Sequence, residues 1–459
     1  MYLAWLTGNA KSAEYYIDKL YASLDTIARD YPQFLESAIL DISLDHRIPF
    51  SALIEDFGKL PPIPYRTQTP QGVSLTAQMP FLHRSNRDYC ELADMSALEK
   101  LPGAFGMLLK KNYNVVISCV MSGLALEKNM VAEALALAKE ALKALEDVDA
   151  PECIFSAHMH IAAVLFAMGD GVETLRIVKE TKIRLDEIGA SYLNQNLAAY
   201  NARLLLWDGD KDAALEWLEN YFVTEFDRLP LFKVFQHFTT ARAHMVLNRT
   251  AEAMACVLEL ERLGQDFRRP LDMAEAGALR AALEWATGRR KEAVTTLETV
   301  CAAMQPHGFI RVIANEGAAI MPVLKRIALK IDREGYNGGL KREFVNETLM
   351  AAYGVSKAHK GVTANIKKSA KPVKLSKQQK LMIEMLSQGY KNPKIAQITG
   401  LALPTVKGHI MLAYQKLGVN NAMDAVLKAR EIGRYSSSKR CLGITQDDRD
   451  AVYLNVVVC

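Results

Sequence analysis

Residues 375–434 have the sequence LSKQQKLMIEMLSQGYKNPKIAQITGLALPTVKGHIMLAYQKLGVNNAMDAVLKAREIGR. Its apolar residues recur at helical spacing, in runs separated by turn residues, and this pattern predicts four short helices. Ser376 and Gln379 have the spacing of a capping box, which predicts the start of the first helix, and Gly389 predicts its left-handed end.

The second and third predicted helices form a close pair. The second is expected to use Asn392 as its N-cap and to end near Gly400, and the third to run from about Leu403 to Leu417. One face of the third helix is apolar and is expected to pack inward: Val406, Ile410, Ala413, Tyr414 and Leu417. The other side is expected to face outward: Pro404, Thr405, Lys407, Gly408, Met411, Leu412 and Gln415. Two short helices joined by a tight turn can present the second of the pair to the DNA major groove.

The stretch resembles the LuxR-type helix-turn-helix domain of bacterial transcription regulators. A fourth helix, beginning near Asn421, completes this likeness over about sixty residues. The matching positions are Leu375, Ser376, Gly389, Asn392, Ile395, Ala396, Thr405, Val406, Lys407, His409, Ile410, Lys416, Leu417, Gly418, Val419, Ala425 and Val426. The resemblance implies a DNA-binding domain that pairs with a second copy on DNA.

The resemblance also implies roles for individual residues. Three positions of the third helix are expected to face base edges: Lys407, Gly408 and Met411. Three further positions are expected to lie near phosphates: Asn392, Thr405 and Lys416. Charge and position add Lys391 and Lys394 to the phosphate group. The fourth helix is the expected dimerisation helix, with Ala425, Val426, Ala429 and Ile432 on its apolar side.

Several positions depart from the family pattern. Gln378 and Gln379 stand where an Arg-Glu pair is usual, and Lys394 replaces a usual Glu, so the ion pairing between the first two helices is missing. Met411 and Leu412 occupy positions that are more often polar. An apolar pair on a reading helix is compatible with contacts to thymine methyl groups or with weak sequence specificity.

Charge divides the chain into two parts. Residues 354–435 contain 15 Lys and Arg residues against three acidic ones, a formal charge of +12. Residues 1–353 contain 38 basic and 46 acidic residues, a formal charge of −8. Lysines clustered around a helix-turn-helix are typical of phosphate contact on double-stranded DNA, and they disfavour the alternative of a purely structural helical bundle.

Composition places the chain among ordinary globular proteins. Its 459 residues suggest about three domains. No apolar run approaches the ~18 residues of a membrane span, and no basic segment precedes the short apolar one at Met1, so we expect a cytoplasmic protein. The seven cysteines are scattered without a Cys-x-x-Cys pair, which favours reduced thiols over disulfides or a metal site.

An internal repeat precedes the basic part. Turn residues recur every 39 to 41 positions, at Lys128–Asn129, Gly169–Asp170, Gly209–Asp210, Arg249–Thr250 and Arg289–Arg290. The small residue that follows keeps the same step: Ala134, Thr174, Ala214, Ala253 and Ala293. This period predicts an all-α, tetratricopeptide-like helical-repeat superhelix. Because it exceeds 34 residues, longer helices or loops such as 225–230 and 264–270 are expected.

The predicted domain organisation has six parts. They are an N-terminal helical segment (1–59), a proline-rich connection (60–95), the helical repeats (96–353), a basic flexible linker (354–374), the helix-turn-helix domain (375–435) and a tail without an assigned role (436–459). Charged residues on the repeat helices are expected to be solvated, and Trp207, Trp217, Tyr221, Phe222 and Phe226 are expected to pack in the core rather than line a sugar-binding groove.

No catalytic pattern is present in the sequence. It contains no phosphate-binding G-x-x-x-x-G-K-[ST] loop, no G-x-S-x-G and no H-E-x-x-H. His158 and His160 are two residues apart on a predicted helix and point to different sides, so they cannot share a metal. We therefore predict a protein that is not an enzyme and has no cofactor or metal site.

Helical repeats followed by a LuxR-type domain resemble the large ATP-binding, MalT-like regulators. Residues 74–89 also look like a stretch between the helical regions of those proteins. The resemblance implies a signalling NTPase upstream, and the start at Met1 is what we expect of a chain lacking that portion.

The leading hypothesis is a transcription regulator whose repeats receive a small-molecule or protein signal. The alternatives are an adaptor whose terminal domain only dimerises, and a fragment of an ATP-dependent switch.

Overall fold

The computed structural model describes residues 9–35, 38–39, 42, 45–60, 88–92, 112–148, 150–220, 233–333, 336, 338–366, 375–417, 419 and 421–431. All regular secondary structure in these ranges is helical, in agreement with the predicted all-α class. The chain divides into two compact units, residues 1–367 and 368–459.

The first unit contains seventeen described α-helices. They are α1 Ala10–Ala22, α2 Leu24–Asp30, α3 Phe50–Gly58, α4 Tyr89–Leu92, α5 Tyr113–Glu127, α6 Val131–Lys143, α7 Pro151–Ala167, α8 Gly171–Glu187, α9 Asn194–Trp207, α10 Lys211–Asn220, α11 Val234–Val246, α12 Thr250–Asp266, α13 Pro270–Ala286, α14 Arg290–Met304, α15 Arg311–Ala314, α16 Met321–Ile331 and α17 Arg342–Ala358. Helices α5 to α14 form five successive hairpins, in which each helix packs against its neighbour in the chain.

The period seen in the sequence is the period of these hairpins. The turns between paired helices have positive φ, between 59° and 89°, at Asn129, Gly169, Gly209, Asn248 and Gly288. Glycine and asparagine tolerate this conformation best. The small residue in the first turn of each following helix is 0% exposed at Ala134, Thr174, Ala214, Ala253 and Ala293. A larger side chain there would push the paired helices apart, which explains the repeated small residue.

The predicted loop at 264–270 is wrong. Helix α12 continues to Asp266, and only Phe267–Arg269 connect it to α13. Gly264 lies inside the helix, where a Cβ atom would come within 2.7 Å of Met273 Cγ. The glycine therefore permits close packing of α12 on α13 and does not break the helix. The other predicted loop, 225–230, lies outside the described residues.

The end of the proline-rich connection is an ordered part of the core. Tyr89 is 1% exposed and packs so closely on Gly123 that a Cβ there would lie 2.0 Å from the tyrosine oxygen. The Asp88 carboxylate accepts a hydrogen bond from the Leu271 amide at 3.0 Å, and the Asp88 amide donates to His46 Nε2 at 3.2 Å. Residues 88–92 therefore join the N-terminal helices to the repeats, whereas 61–87 lie outside the described residues.

The predicted flexible linker is largely structured. Helix α17 extends through Ala358, and residues 359–366, which we call the strap, pack against the repeats. The strap residues Val362 and Ile366 are buried. Composition was misleading here because two apolar residues and one glycine anchor an otherwise polar and basic segment. Residues 367–374 lie outside the described ranges.

Three contacts hold the strap on the turn after α9. The Gly361 amide donates to the Trp207 carbonyl at 2.7 Å, and Asn365 Nδ2 donates to the Gly209 carbonyl at 2.8 Å. His359 Nδ1 lies 2.9 Å from Asp208 Oδ1, and the imidazole stacks on Phe166 with ring centroids 4.7 Å apart. These contacts fix the backbone of the strap to the first unit.

Candidate nucleic-acid interface

The second unit contains four described helices, as predicted. They are α18 Lys377–Ser387, α19 Asn392–Thr399, α20 Leu403–Leu417 and α21 Ala422–Glu431. The Ser376–Gln379 capping box is present, and Gly389 and Gly400 have positive φ of 83° and 68°. Helix α20 has the bounds predicted for the third helix.

One prediction about α19 is wrong. Its N-cap is Lys391 and not Asn392, and the cap makes no side-chain hydrogen bond. Asn392 is the first residue of the helix and Pro393 the second. The presence of Pro393 does not require Asn392 to be the N-cap, because proline is tolerated throughout the first turn of a helix.

Helix α20 is held by two hydrophobic clusters. Val406 and Ile410 pack with Met382, Met385 and Ile395, which belong to α18 and α19. Ala413 and Leu417 join the other cluster, whose remaining members are Leu375, Ile383, Ala425, Val426 and Ala429. Because both clusters lie on one side of α20, the helix cannot rotate without losing its core contacts, and its outward side is fixed. Tyr414 is half-buried and packs against both clusters.

The predicted base-facing residues lie on this outward side. Lys407 is exposed, Gly408 is half-buried, and Met411 is 57% exposed. Leu412, next to Met411, is 45% exposed. The structure therefore leaves these positions accessible, and base contact remains a prediction.

The predicted phosphate-facing residues fall on three parts of the unit. Lys391 and Lys394 are exposed at the start of α19, where Asn392 is half-buried. Thr405 is exposed in the first turn of α20, and Lys416 is exposed near its end. Lysine ammonium groups in such positions are suited to neutralising phosphates.

Lys416 also has a partner within its own unit. Its Nζ donates to Gln379 Oε1 at 2.9 Å, and the same oxygen accepts the Ser376 amide at 2.8 Å. Gln379, which stands where family members usually have a charged residue, therefore ties α18 to α20 by a hydrogen bond. Sequence reasoning missed this contact because Gln379 and Lys416 are distant in the chain.

The predicted dimerisation residues have a structural role inside the unit. Ala425, Val426 and Ala429 are buried against α18 and α20, and Ile432 lies outside the described residues. A pairing surface on α21 would therefore use other residues of that helix. The capping of α21 is clear, because Asn421 Oδ1 accepts the Asp424 amide at 2.8 Å.

A polar cluster in the repeats was also missed. Arg203 and Arg242 bind Glu275, and Arg242 also binds Glu316, with all four side chains at most 5% exposed. With Trp207 they line a small recess of about 30 Å³. The prediction that charged residues on the repeat helices are solvated is wrong for Arg203, Arg242 and Glu275.

A usable signal for this cluster was present in the sequence. Arg203 and Arg242 are 39 residues apart, one repeat period, and so occupy equivalent places on α9 and α11. Asn196 and Gln236 are 40 residues apart and are hydrogen-bonded. Polar residues repeated at the structural period are expected to meet across neighbouring hairpins.

The prediction that Trp207 and Trp217 pack in the core is confirmed, since they are 6% and 1% exposed. Tyr221, Phe222 and Phe226 lie outside the described residues. His160 is buried in α7, where its Nδ1 lies 2.8 Å from the Ser156 carbonyl, and burial lowers its pKa to about 4.

No group of three or more potential metal-ligating side chains occurs among the described residues. Within the same ranges, no helix is long and apolar enough to cross a bilayer.

Comparison with known protein families agrees with both units. Residues 111–330 match the MalT-like TPR region, and residues 373–429 match the bacterial regulatory proteins of the luxR family. The first unit is therefore similar to the helical-repeat region of MalT-like proteins, and the second unit is similar to the DNA-binding domain of luxR-family regulators.

Two curated proteins are also similar to this chain. Two proteins named HTH-type transcriptional regulator MalT, from Klebsiella pneumoniae subsp. pneumoniae and from Klebsiella pneumoniae strain 342, are each 27% identical over 255 residues. The similarity covers 51% of this chain and 27% of each relative. The chain thus spans about a quarter of the length of the curated relatives it matches.

Proposed function

We propose that this protein binds promoter DNA through α20 and that the helical repeats receive the signal that controls this binding. The observation that carries the proposal is the fixed orientation of α20, with its apolar side in two clusters and Lys407 and Met411 exposed. The formal charge of +12 on residues 354–435 supports a polyanionic partner. Double-stranded DNA combines a polyanionic surface with a groove of suitable width for one helix.

The proposal for the repeats depends on their buried polar cluster. Helical repeats commonly bind ligands through the surface that their stacking creates. Here Trp207, Arg242 and Glu316 border a recess in that stack. A small molecule or a protein segment that contacts this region would change the packing of neighbouring hairpins. The family resemblance also favours two copies of the chain on one DNA site.

The direct test is DNA retention by the full chain in a mobility-shift assay. DNA is first selected from a random-sequence library, and the best duplex is then titrated. Lys407→Ala is expected to weaken binding roughly tenfold or more, because a lysine that faces a base edge contributes both charge and a hydrogen bond. Lys291→Ala, which removes an exposed lysine from the repeats, is the matched control and is expected to bind as the unchanged chain does.

Failure of this test has a clear form. If the full chain retains no duplex, or if Lys407→Ala and Lys291→Ala bind equally well, α20 is not the reading helix. Protein partners captured without any DNA binding would then support the adaptor alternative.

A further inference from the structure

The outward side of α20 is unusually apolar for a helix surface. Met411 and Leu412 are 57% and 45% exposed, and neither belongs to the hydrophobic clusters that hold the helix. Two adjacent large apolar side chains that stay exposed to water do not stabilise the fold of the unit. A specific contact partner would give both side chains a function.

Gly408 lies one turn before this apolar pair, on the same side of α20. A Cβ atom built on Gly408 would find no atom within 4 Å. Packing within the unit therefore does not require glycine there, although glycine is a much poorer helix former than alanine. The bare backbone at Gly408 allows a partner to approach the helix closely beside Met411.

Charge identifies the kind of partner. Lys391, Lys394, Lys407 and Lys416 are all exposed around the reading helix. A partner for this surface must carry negative charges at its rim and small apolar groups at its centre. The major groove of DNA has phosphates along both edges, and its one apolar group is the 5-methyl of thymine.

We propose that Met411 and Leu412 select thymine by packing on its 5-methyl group and that Gly408 permits the close approach this needs. The inference rests on the proposed DNA-binding function and extends it to the chemical class of operator. Sites bound by this protein should have thymine at the base pairs under the central turn of α20. Lys407 then supplies the polar contact next to the methyl groups.

Deoxyuridine substitution isolates the methyl group. The full chain is titrated with a duplex selected from a random library, and then with duplexes in which single thymines are replaced by deoxyuridine. Base pairing and phosphates are unchanged by this replacement. Affinity is expected to fall roughly threefold to fourfold for each methyl group that Met411 or Leu412 covers.

Variants connect the effect to the proposed side chains. Met411→Gln with Leu412→Gln keeps side chains of similar length and should bind thymine and deoxyuridine duplexes equally. Gly408→Ala should raise the melting temperature and weaken DNA binding, because the added methyl group favours the helix but fills the space for the base. A merely structural glycine would give a lower melting temperature instead.

The possible outcomes separate the two claims. Tight, sequence-selective binding with equal affinity for thymine and deoxyuridine would overturn the thymine inference and leave DNA reading intact. Loss of affinity on deoxyuridine substitution that persists in the Met411→Gln, Leu412→Gln variant would also overturn it. Failure to retain any duplex would overturn DNA reading itself, and the inference with it.

Discussion

At the scale of single residues, the first unit contains charges that are fully removed from water. Arg242 is 0% exposed and binds both Glu275 and Glu316. Removing one member of such a cluster leaves the others buried without compensation, which costs far more than losing a surface ion pair. The cluster connects α11, α13 and the segment after α15.

Arg242→Ala is therefore expected to lower the free energy of unfolding by about 3–5 kcal/mol. Urea denaturation of the full chain, followed by the helical signal in circular dichroism, measures this change. Arg326→Ala removes an exposed arginine from α16 and should change stability by less than about 0.5 kcal/mol. Equal effects of the two substitutions would show that the buried cluster does not stabilise the repeats.

His160, together with His237, makes the stability of the first unit depend on pH. Burial lowers its pKa in the folded chain to about 4, whereas an unfolded histidine titrates near 6.5. Between these values the unfolded chain binds a proton that the folded chain does not. The contribution of His160 is therefore intact above about pH 6.5 and is lost as the pH falls towards 4, by up to about 3 kcal/mol.

His160→Leu should make the stability profile less steep between about pH 6.5 and pH 4, while His237, whose pKa burial also lowers to about 4, keeps part of the slope. The measurement is the midpoint of urea unfolding at several pH values across this window. His409→Gln, which changes a histidine of the other unit, is the control and should leave the slope for the first unit unchanged. An unaltered slope in His160→Leu would contradict the assignment of the pH dependence to His160.

At the scale of helices and turns, local signals were sufficient for much of the structure. The bounds of α20, the Ser376–Gln379 capping box and the periodic turns all depend on residues near one another in the chain. These features follow from amphipathic period, capping and positive φ, so the sequence predicts them directly. The outward side of α20 could be predicted for the same reason, since it follows from the amphipathic period of that helix alone.

Features that depend on distant residues were harder to predict. Gly264 was interpreted as a loop residue, although its contact with Met273 explains it. The strap was interpreted as a flexible linker, because nothing in its own sequence indicates the Trp207 carbonyl that its Gly361 amide meets. Lys416 was assigned to phosphate contact without its bond to Gln379. Each of these three features depends on a residue that is distant in the chain and close only in the folded structure.

The strap can be examined by limited proteolysis with trypsin. The bond after Lys360 involves the Gly361 amide, which donates to the Trp207 carbonyl, so cleavage requires the strap to leave the repeats. The native full chain should resist cleavage there. His359→Ala with Asn365→Ala removes two of the anchoring contacts and should increase the cleavage rate about tenfold or more.

Thr363→Ala provides the control for this measurement. Thr363 is a half-buried strap residue that makes none of the anchoring contacts described above, and its substitution should leave the cleavage rate nearly unchanged. Rapid cleavage after Lys360 in the unaltered chain would show that the strap is not held in solution.

At the scale of the whole molecule, the two units have opposite formal charges. Residues 1–367 carry −5 and residues 368–459 carry +9. The repeat period and the helix-turn-helix pattern allowed both units to be predicted, because each is built from short elements with their own sequence signals. The buried cluster of Arg203, Arg242 and Glu275 was not predicted, since its members come from three different helices.

The most direct test of the account is the salt dependence of DNA binding by the full chain. A protein that reads DNA through this basic unit should lose affinity steeply as the salt concentration rises. A plot of the logarithm of the association constant against the logarithm of the salt concentration should have a slope of about −0.9 for each phosphate neutralised. Lys391→Ala with Lys394→Ala should make that slope shallower by about 2, while Lys291→Ala should not change it. Affinity that is indifferent to salt, or a slope unaffected by the loss of Lys391 and Lys394, would contradict the account.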